Sequence, residues 1–453
     1  MPRLMAKVGE LERTEDARLP SVAEHDEPMS QYDPRASDQN PPVPCHYFDY
    51  VVGTNTGGFI AIMLGRLRMN IDACKEEYNR LGETIIAKKR HFKHNQYSHR
   101  KLKKFVVGLV RDRVSTDESA QDQPDALLHT TGEESRCRTT ILTILKAKRA
   151  TETPHLLRSY PRTPIGASPH PREQARNRNP DVNINCYVWE AAMATFATPR
   201  YFRKVEINGS HFRDGGTWEN NPSVEGFNEA CSMYRQETGA SAAQYCPVGV
   251  LVSIGNGIGA PLSTFSRVRA LRKSLGLVGN SDRSLMDPER VHRHMTETAR
   301  HWGIPYYRFN VDTGLGDVEM DEWKGVVGNH SITFSAIESA TRRYLDQIDV
   351  RNELNDCAQQ LVNYRRRRCP TIAAMRYVNL STPGARTPHH IPRWQRTPAH
   401  GYHSGGDHAY RHSNPGRQYD PQLQQPHRMG HPSHPPQYPV ELPYELDPHE
   451  LAN

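Results

Sequence analysis

The chain has 453 residues, of which 36% are apolar and 24% charged, with a formal net charge of +7. That apolar share is low for one compact body and implies polar segments around a smaller core, while the length admits one large α/β domain. No run nears the roughly 18 apolar residues of a membrane span, and the start holds no signal-peptide core. Cys45, Cys74, Cys137, Cys186, Cys231, Cys246, Cys357 and Cys369 form no CxxC pair; this excludes a zinc ribbon and reads as reduced thiols in a cytoplasmic protein.

Residues 1–43 are mostly charged, with interspersed Pro and Asp ("EHDEPMSQYDPRASDQNPPVP"), and predict a flexible approach to the domain. "YFDYVV" (residues 47–52) is aromatic and β-branched and predicts a buried strand. Beyond Gly57, the apolar residues Phe59, Ile60, Met63, Leu64 and Leu67 repeat at helical spacing. Asn70 is placed to cap a second helix with the stripe Ile71, Cys74, Tyr78, Leu81 and Ile85. The basic runs at 88–104 and 365–368 carry no nucleic-acid reading motif beside them and read as solvated helix faces.

Residues 112–140 and 163–181 are polar, the second with four prolines, and read as insertions. "RTTILTILKA" predicts a short strand or helix, "YVWEAAMATFA" a helix ending before Pro199, and "CPVGVLVSIGNG" a second buried strand. Residues 330–366 predict one or two amphipathic helices and 351–380 a helical extension. Strands alternating with covering helices indicate an α/β sandwich. Residues 381–453 gather 10 of the 23 histidines and 13 of the 34 prolines, a composition expected to stay disordered.

The turn Gly53-Thr54-Asn55-Thr56-Gly57 keeps the glycines of a G-x-S-x-G elbow. In that motif crowding excludes side chains at Gly53 and Gly57, and the apex residue is strained and exposed at a helix N-terminus. Asn tolerates such a backbone, but a carboxamide has no ionisable proton and forms no acyl-enzyme. An ordinary glycine-rich turn is the alternative for this stretch alone. A dinucleotide or phosphate loop is set aside, because neither GxGxxG nor GK[ST] is present. Downstream, Asp214 precedes Gly215 and Gly216; it reads as a base or, more simply, as a turn.

Taken together, "YFDYVVGTNTGGFIAIMLGRLRM", "LLRSYP", "VWEAAMATFATPRYF", "FRDGGTWENNPSVEGFNEA", "VLVSIGNG" and "YRFNVDTGLGDVEMDEWK" resemble the patatin-like phospholipases, especially their fungal branch. The segments follow the family's order over residues 44–346. The resemblance implies a patatin-like three-layer α/β/α sandwich related to the cytosolic phospholipase A2 catalytic fold, spanning residues 44–350. It also implies a Ser–Asp dyad that cleaves acyl esters of phospholipids and other lipids without histidine or calcium. Carried over, Asn55 stands at the nucleophile position, Asp214 is the dyad base and the Thr56 amide is an oxyanion donor. Gly53, Gly57, Gly58, Gly215 and Gly216 are the motif glycines. The family's glycine-rich DGGGxRG oxyanion segment has no counterpart; "MAKVGELERTEDARLP" holds one glycine. The domain is therefore expected to be N-terminally incomplete, with an unpaired edge beside "FDYVVG".

The leading expectation is a lipid acyl-ester hydrolase by descent, catalytically impaired or inactive as written. The alternative is an active hydrolase using water activated by Asp214 or a serine that the sequence misstates. A third reading is a non-catalytic lipid-binding or scaffold protein. No cofactor, metal or specific nucleic acid is expected. The expected partners are a phospholipid or other acyl lipid at a membrane surface, where the protein would be peripheral, and a protein bound through the tail.

Overall fold

One long strand organises the sheet. In the computed structural model, which describes residues 1–18, 42–90, 95–114, 126–129, 137–146, 152–162, 184–238, 246–258, 287–316, 318, 321–323, 326–327 and 330–368, the first elements are α1 (Pro2–Arg18), β1 (Tyr50–Gly53), α2 (Thr56–Ala61), α3 (Ile71–Leu81) and α4 (His99–Val114). The long strand β2 (Arg138–Lys146) follows, then β3 (Thr153–Arg158), α5 (Val188–Thr195), β4 (Val205–Ile207), β5 (Ser210–Asp214) and α6 (Ser223–Thr238). The last are β6 (Leu251–Ile254), α7 (Pro288–Trp302), β7 (Tyr306–Phe309), β8 (Val326–Val327), β9 (His330–Ser331), α8 (Ile332–Asp346) and α9 (Ile348–Arg368).

β3 runs antiparallel along one edge of β2, from Thr140↔Arg158 to Leu145↔Thr153. The other edge is shared end to end: β1 pairs in parallel up to Gly53↔Ile141, and β5 pairs antiparallel from Thr143↔Asp214 onward. A strand has two edges, so two strands arriving from opposite directions on one edge must meet tip to tip. They meet at Leu142. That register, not any local signal, brings residues 55 and 214 together.

Alternation along β2 builds the layers. Thr139 and Ile141 face α2 and its π-helical continuation (Ile62–Arg66): a Cβ on Gly65 would lie 2.3 Å from Thr139 Oγ1, and one on Gly58 3.1 Å from Ile141. Thr140 faces the other way, where its hydroxyl meets Tyr160 at 3.0 Å, and Tyr160 donates to Glu229 on α6 at 2.9 Å. The sheet therefore lies between α2 and α5 on one side and α6 on the other, an α/β sandwich. Phe59, Ile62, Met63, Ile141 and Ala192 are sealed from solvent in its core, and each large side chain contributes about 1.5–3 kcal/mol of burial. A buried ion cluster ties β3 to α6. Arg158 Nε donates to Glu229 Oε1 at 2.7 Å and Arg162 Nη1 to Oε2 at 2.6 Å. Burial opposes ionisation of Glu229, but both guanidiniums and Tyr160 outweigh it and hold its carboxyl below the usual range.

Several expectations are corrected. The charged start contains α1, whose Leu4, Met5 and Val8 are buried; residues 19–41 lie outside the described residues. Its stripe is disguised by Glu12, fully buried and paired with Arg365 (3.1 Å) and Arg366 (2.5 Å) of α9. The 365–368 run is therefore not a free solvated face: Arg366 also binds Asp16 at 2.6 Å, and Arg368 pairs with Asp49. In the 88–104 run Lys89 pairs with Asp321 at 2.7 Å, and residues 91–94 lie outside the described residues. The bounds expected for the 112–140 insertion are too wide, because 112–114 belong to α4 and 138–140 to β2; between them Leu127 bridges to Tyr187, and residues 115–125 and 130–136 lie outside the described residues. The late pattern, expected as one or two helices, is two, broken at Gln347, and this expectation stands. The two strands expected to be buried, β1 and β6, are mostly half-exposed, with Ile254 at 48%. The 163–181 insertion, the end of the helical extension and the tail lie outside the described residues.

Candidate active site

β1 runs into a turn with no room for a side chain at Gly53, where a Cβ would lie 2.1 Å from the Gly57 carbonyl oxygen. The expectation of equal crowding at Gly57 is corrected, because a Cβ there meets nothing within 4 Å. Gly58 is the packed one: its Cβ would lie 2.2 Å from Thr195 Oγ1 on α5. Between them Asn55 holds φ 52° and ψ −130°, a strained conformation that asparagine tolerates better than most residues with a Cβ. Thr195 Oγ1 donates to the Asn55 carbonyl at 2.9 Å and pins the apex from the helix side.

Asp214 ends β5 and leads into the turn Gly215–Thr217. A Cβ on Gly215 would lie 2.4 Å from Leu142 O, and one on Gly216 2.7 Å from Asn220 Oδ1. Asp214 is 1% exposed. Its Oδ1 accepts from the Gly216 amide at 2.9 Å, and its Oδ2 from Thr198 Oγ1 at 2.8 Å. Burial raises its pKa to about 6, partly offset by hydrogen bonds from Gly216, Thr198 and Asn55.

The two predicted residues, 159 positions apart in sequence, are in direct contact. Asn55 Nδ2 donates to Asp214 Oδ2 at 2.7 Å. The same carboxamide turns its Oδ1 back to accept the Thr56 amide at 2.6 Å. The Thr56 N–H, expected to face an oxyanion, is therefore occupied by the apex side chain. Thr54 Oγ1 points into the core toward Leu142 O (3.4 Å), and the Thr56 hydroxyl bonds Tyr78; neither stands in for a nucleophile. The arrangement is saturated, because the base has its donors and the amide has its acceptor.

Thr198 and Thr195 were missed as site residues. Thr198 sits in "ATFATPRYF", where its place just before Pro199 was the available signal. Asn55 and Thr198 both line a cavity of about 1510 Å³ that also touches Ile60, Tyr78, Phe196 and Phe202. Asp214 is not among its lining residues; it lies behind Asn55.

A glycine elbow at the tip of one strand is thus opposed by an aspartate at the tip of another. Residues 41–224, from before β1 to the first turn of α6, match the family described as "Patatin-like phospholipase" and form such a domain. The family is of the serine-hydrolase type. The chain is similar to mouse "Calcium-independent phospholipase A2-gamma", 26% identical over 272 residues, covering 58% of this chain and 30% of that protein. It is also similar to the human protein of that name, 24% identical over 218 residues (46% and 24% covered). Arabidopsis thaliana "Phospholipase A I" is 24% identical over 319 residues (61% and 23% covered). The chain thus spans less than a third of the length of these relatives.

Proposed function

We propose that this protein is a patatin-like lipid acyl hydrolase by descent whose catalytic step is disabled at Asn55, and that it binds acyl lipids without cleaving them. The observation that carries the reading is the double engagement of one carboxamide, at 2.7 Å to Asp214 and 2.6 Å to the Thr56 amide. An amide nitrogen supplies no nucleophile, and no second oxyanion segment was found in the sequence. Water activation by Asp214 finds no support in this geometry, because both carboxylate oxygens are already hydrogen-bonded and the group is shut off from the cavity.

The part of the cavity formed by Ile60, Phe196 and Phe202 suits an acyl chain, beside charged groups such as Arg138 and Arg308 elsewhere in its lining. Among the described residues no helix is long and apolar enough to cross a membrane; on this reading the protein meets lipid from the membrane surface. The reading is tested by p-nitrophenyl butyrate and phosphatidylcholine turnover, alongside binding of a fluorescent fatty acid. Saturable binding with turnover no faster than in Asp214→Ala supports it. Turnover that Asp214→Ala abolishes overturns it in favour of a working hydrolase.

A further inference from the structure

The segments that build one wall of the cavity carry a field of cations on their outer side. Tyr97, Tyr201 and Phe202 line the cavity, with ring centroids 6.0 Å apart for Tyr97 and Tyr201 and 5.5 Å apart for Tyr97 and Phe202. Backbone hydrogen bonds lace their segments together. Arg90 N–H donates to Gln96 O at 2.7 Å, Gln96 N–H to Arg200 O at 2.7 Å and Tyr97 N–H to Tyr201 O at 3.1 Å. Residues 86–90, 95–104 and 198–205 therefore lie side by side. Together they hold ten lysines and arginines and no aspartate or glutamate.

Most of these cations are available to a partner. α4 buries Leu102, Val106, Leu109 and Val110, which leaves Arg100, Lys101 and Lys104 on its opposite, exposed face. Arg200, Arg203 and Lys204 are exposed beside them. Among the described residues none of these six pairs with a carboxylate, and the neighbouring Asp321 is already held by Lys89 at 2.7 Å and Tyr97 at 3.0 Å. Burial lowers the pKa of His99, at the start of α4, and the charges of Arg203 and Lys103 lower it further. Cations from two segments thus surround one ring.

Aromatic and apolar side chains border the field. Lys103 Nζ lies 3.6 Å from the centre of the Trp189 ring, and Trp189 stacks on Tyr187 at 6.5 Å. Leu127, 43% exposed, bridges to Tyr187, itself 36% exposed. Lysine and arginine near an anionic bilayer are drawn to its headgroups, and Trp and Tyr favour the boundary between headgroups and acyl chains. A nucleic acid would meet the same charges, but no base-reading motif accompanies them, and the exposed leucine beside the aromatic pair suits lipid better.

We propose that this face docks on a membrane surface rich in anionic lipid, with Arg100, Lys101, Lys104, Arg200, Arg203 and Lys204 against the headgroups and Tyr187 and Trp189 at the acyl boundary. The proposal builds on the acyl-lipid reading of the cavity and adds the surface that meets the bilayer. Flotation of the full chain tests it, with vesicles of phosphatidylcholine alone and of phosphatidylcholine mixed with phosphatidylserine. The protein is expected to float with the mixed vesicles only, and less as salt rises, because screening shortens the reach of each charge. Each cation lost should lower partitioning by about fivefold, so Lys101→Gln/Lys104→Gln/Arg203→Gln should bind about a hundredfold more weakly. Arg293→Gln/Arg300→Gln/Arg342→Gln removes as many exposed charges from α7 and α8 and should bind as the native chain does. Fluorescent fatty-acid binding by the native chain decides the acyl-lipid reading separately, and the vesicle result stands with or without it. Equal binding to both kinds of vesicle, binding to neither, or equal losses in the two triple variants overturns the proposal. Single-stranded RNA that displaces the protein from the mixed vesicles also overturns it, because the face would then belong to a nucleic acid.

Discussion

Asp214 and His155 pull stability in opposite directions between pH 4 and 6.5, and removing each in turn should expose the other. Asp214 titrates near pH 3.8 when free and at about 6 in the fold. Between those values the folded state holds a proton that the unfolded chain has lost, so this group's contribution falls as pH rises. At about 1.36 kcal/mol per pH interval, its ionisation costs about 3 kcal/mol above pH 6. His155 on β3 is sealed at 1% exposure with no partner at either ring nitrogen. Burial, helped by Arg158, lowers its pKa from 6.5 to about 4. Its contribution is complete above pH 6.5 and is lost, by about 3 kcal/mol, as pH falls to 4. Urea denaturation followed by tryptophan fluorescence at half-unit steps from pH 4 to 7 reads both. Native minus His155→Phe should rise with pH across that window, and native minus Asp214→Asn should fall. Flat difference curves, or an Asp214 curve of the opposite slope, would refute the burial argument.

Three further outcomes follow from named contacts. Asn55→Ser exchanges the carboxamide's hydrogen bond to Asp214 for a hydroxyl's and releases the Thr56 amide, so it should lower stability by no more than about 0.5–1.5 kcal/mol in denaturant titration. It should also gain slow ester turnover, about 10²–10³ below a site with a second oxyanion donor. Glu229→Ala removes the carboxylate that the buried Arg158 and Arg162 share, and should cost about 3–5 kcal/mol in the same titration. Gly53→Ala and Gly58→Ala should each fail to give soluble folded protein or unfold at much lower temperature, whereas Gly57→Ala should melt close to the native chain. The clashes at 2.1 Å and 2.2 Å against open space at Gly57 set that order.

What the sequence disclosed was local chemistry. The strand–turn–helix at 48–66 was legible because glycine spacing and the apolar repeat of Phe59, Ile60, Met63 and Leu64 are properties of adjacent residues. The Asn70 cap, bonding Ala73 N at 2.8 Å, was legible for the same reason. Asp214 was singled out by its motif, but its distance from Asn55 was not, since that depends on β1 and β5 sharing one edge of β2. α1 was hidden because its apolar stripe ends on Glu12, whose charge is satisfied only by arginines 353 and 354 positions away. The half-exposure of β1 and β6 was equally out of reach: Val- and Ile-rich strands look alike whether or not a neighbour covers their edges. The Thr56 amide was assigned to an oxyanion by resemblance, and the apex carboxamide, long enough to fold back, takes it instead.

The central claim is that Asn55 fills the place of a nucleophile and supplies none. Intact-mass analysis of the native protein after incubation with a fluorophosphonate, which phosphonylates activated serines, tests it most directly, with Asn55→Ser as the paired sample. The account predicts no adduct on the native chain and one adduct on the variant, at residue 55 and dependent on Asp214. A stoichiometric adduct on the native chain that Asp214→Ala removes would contradict it.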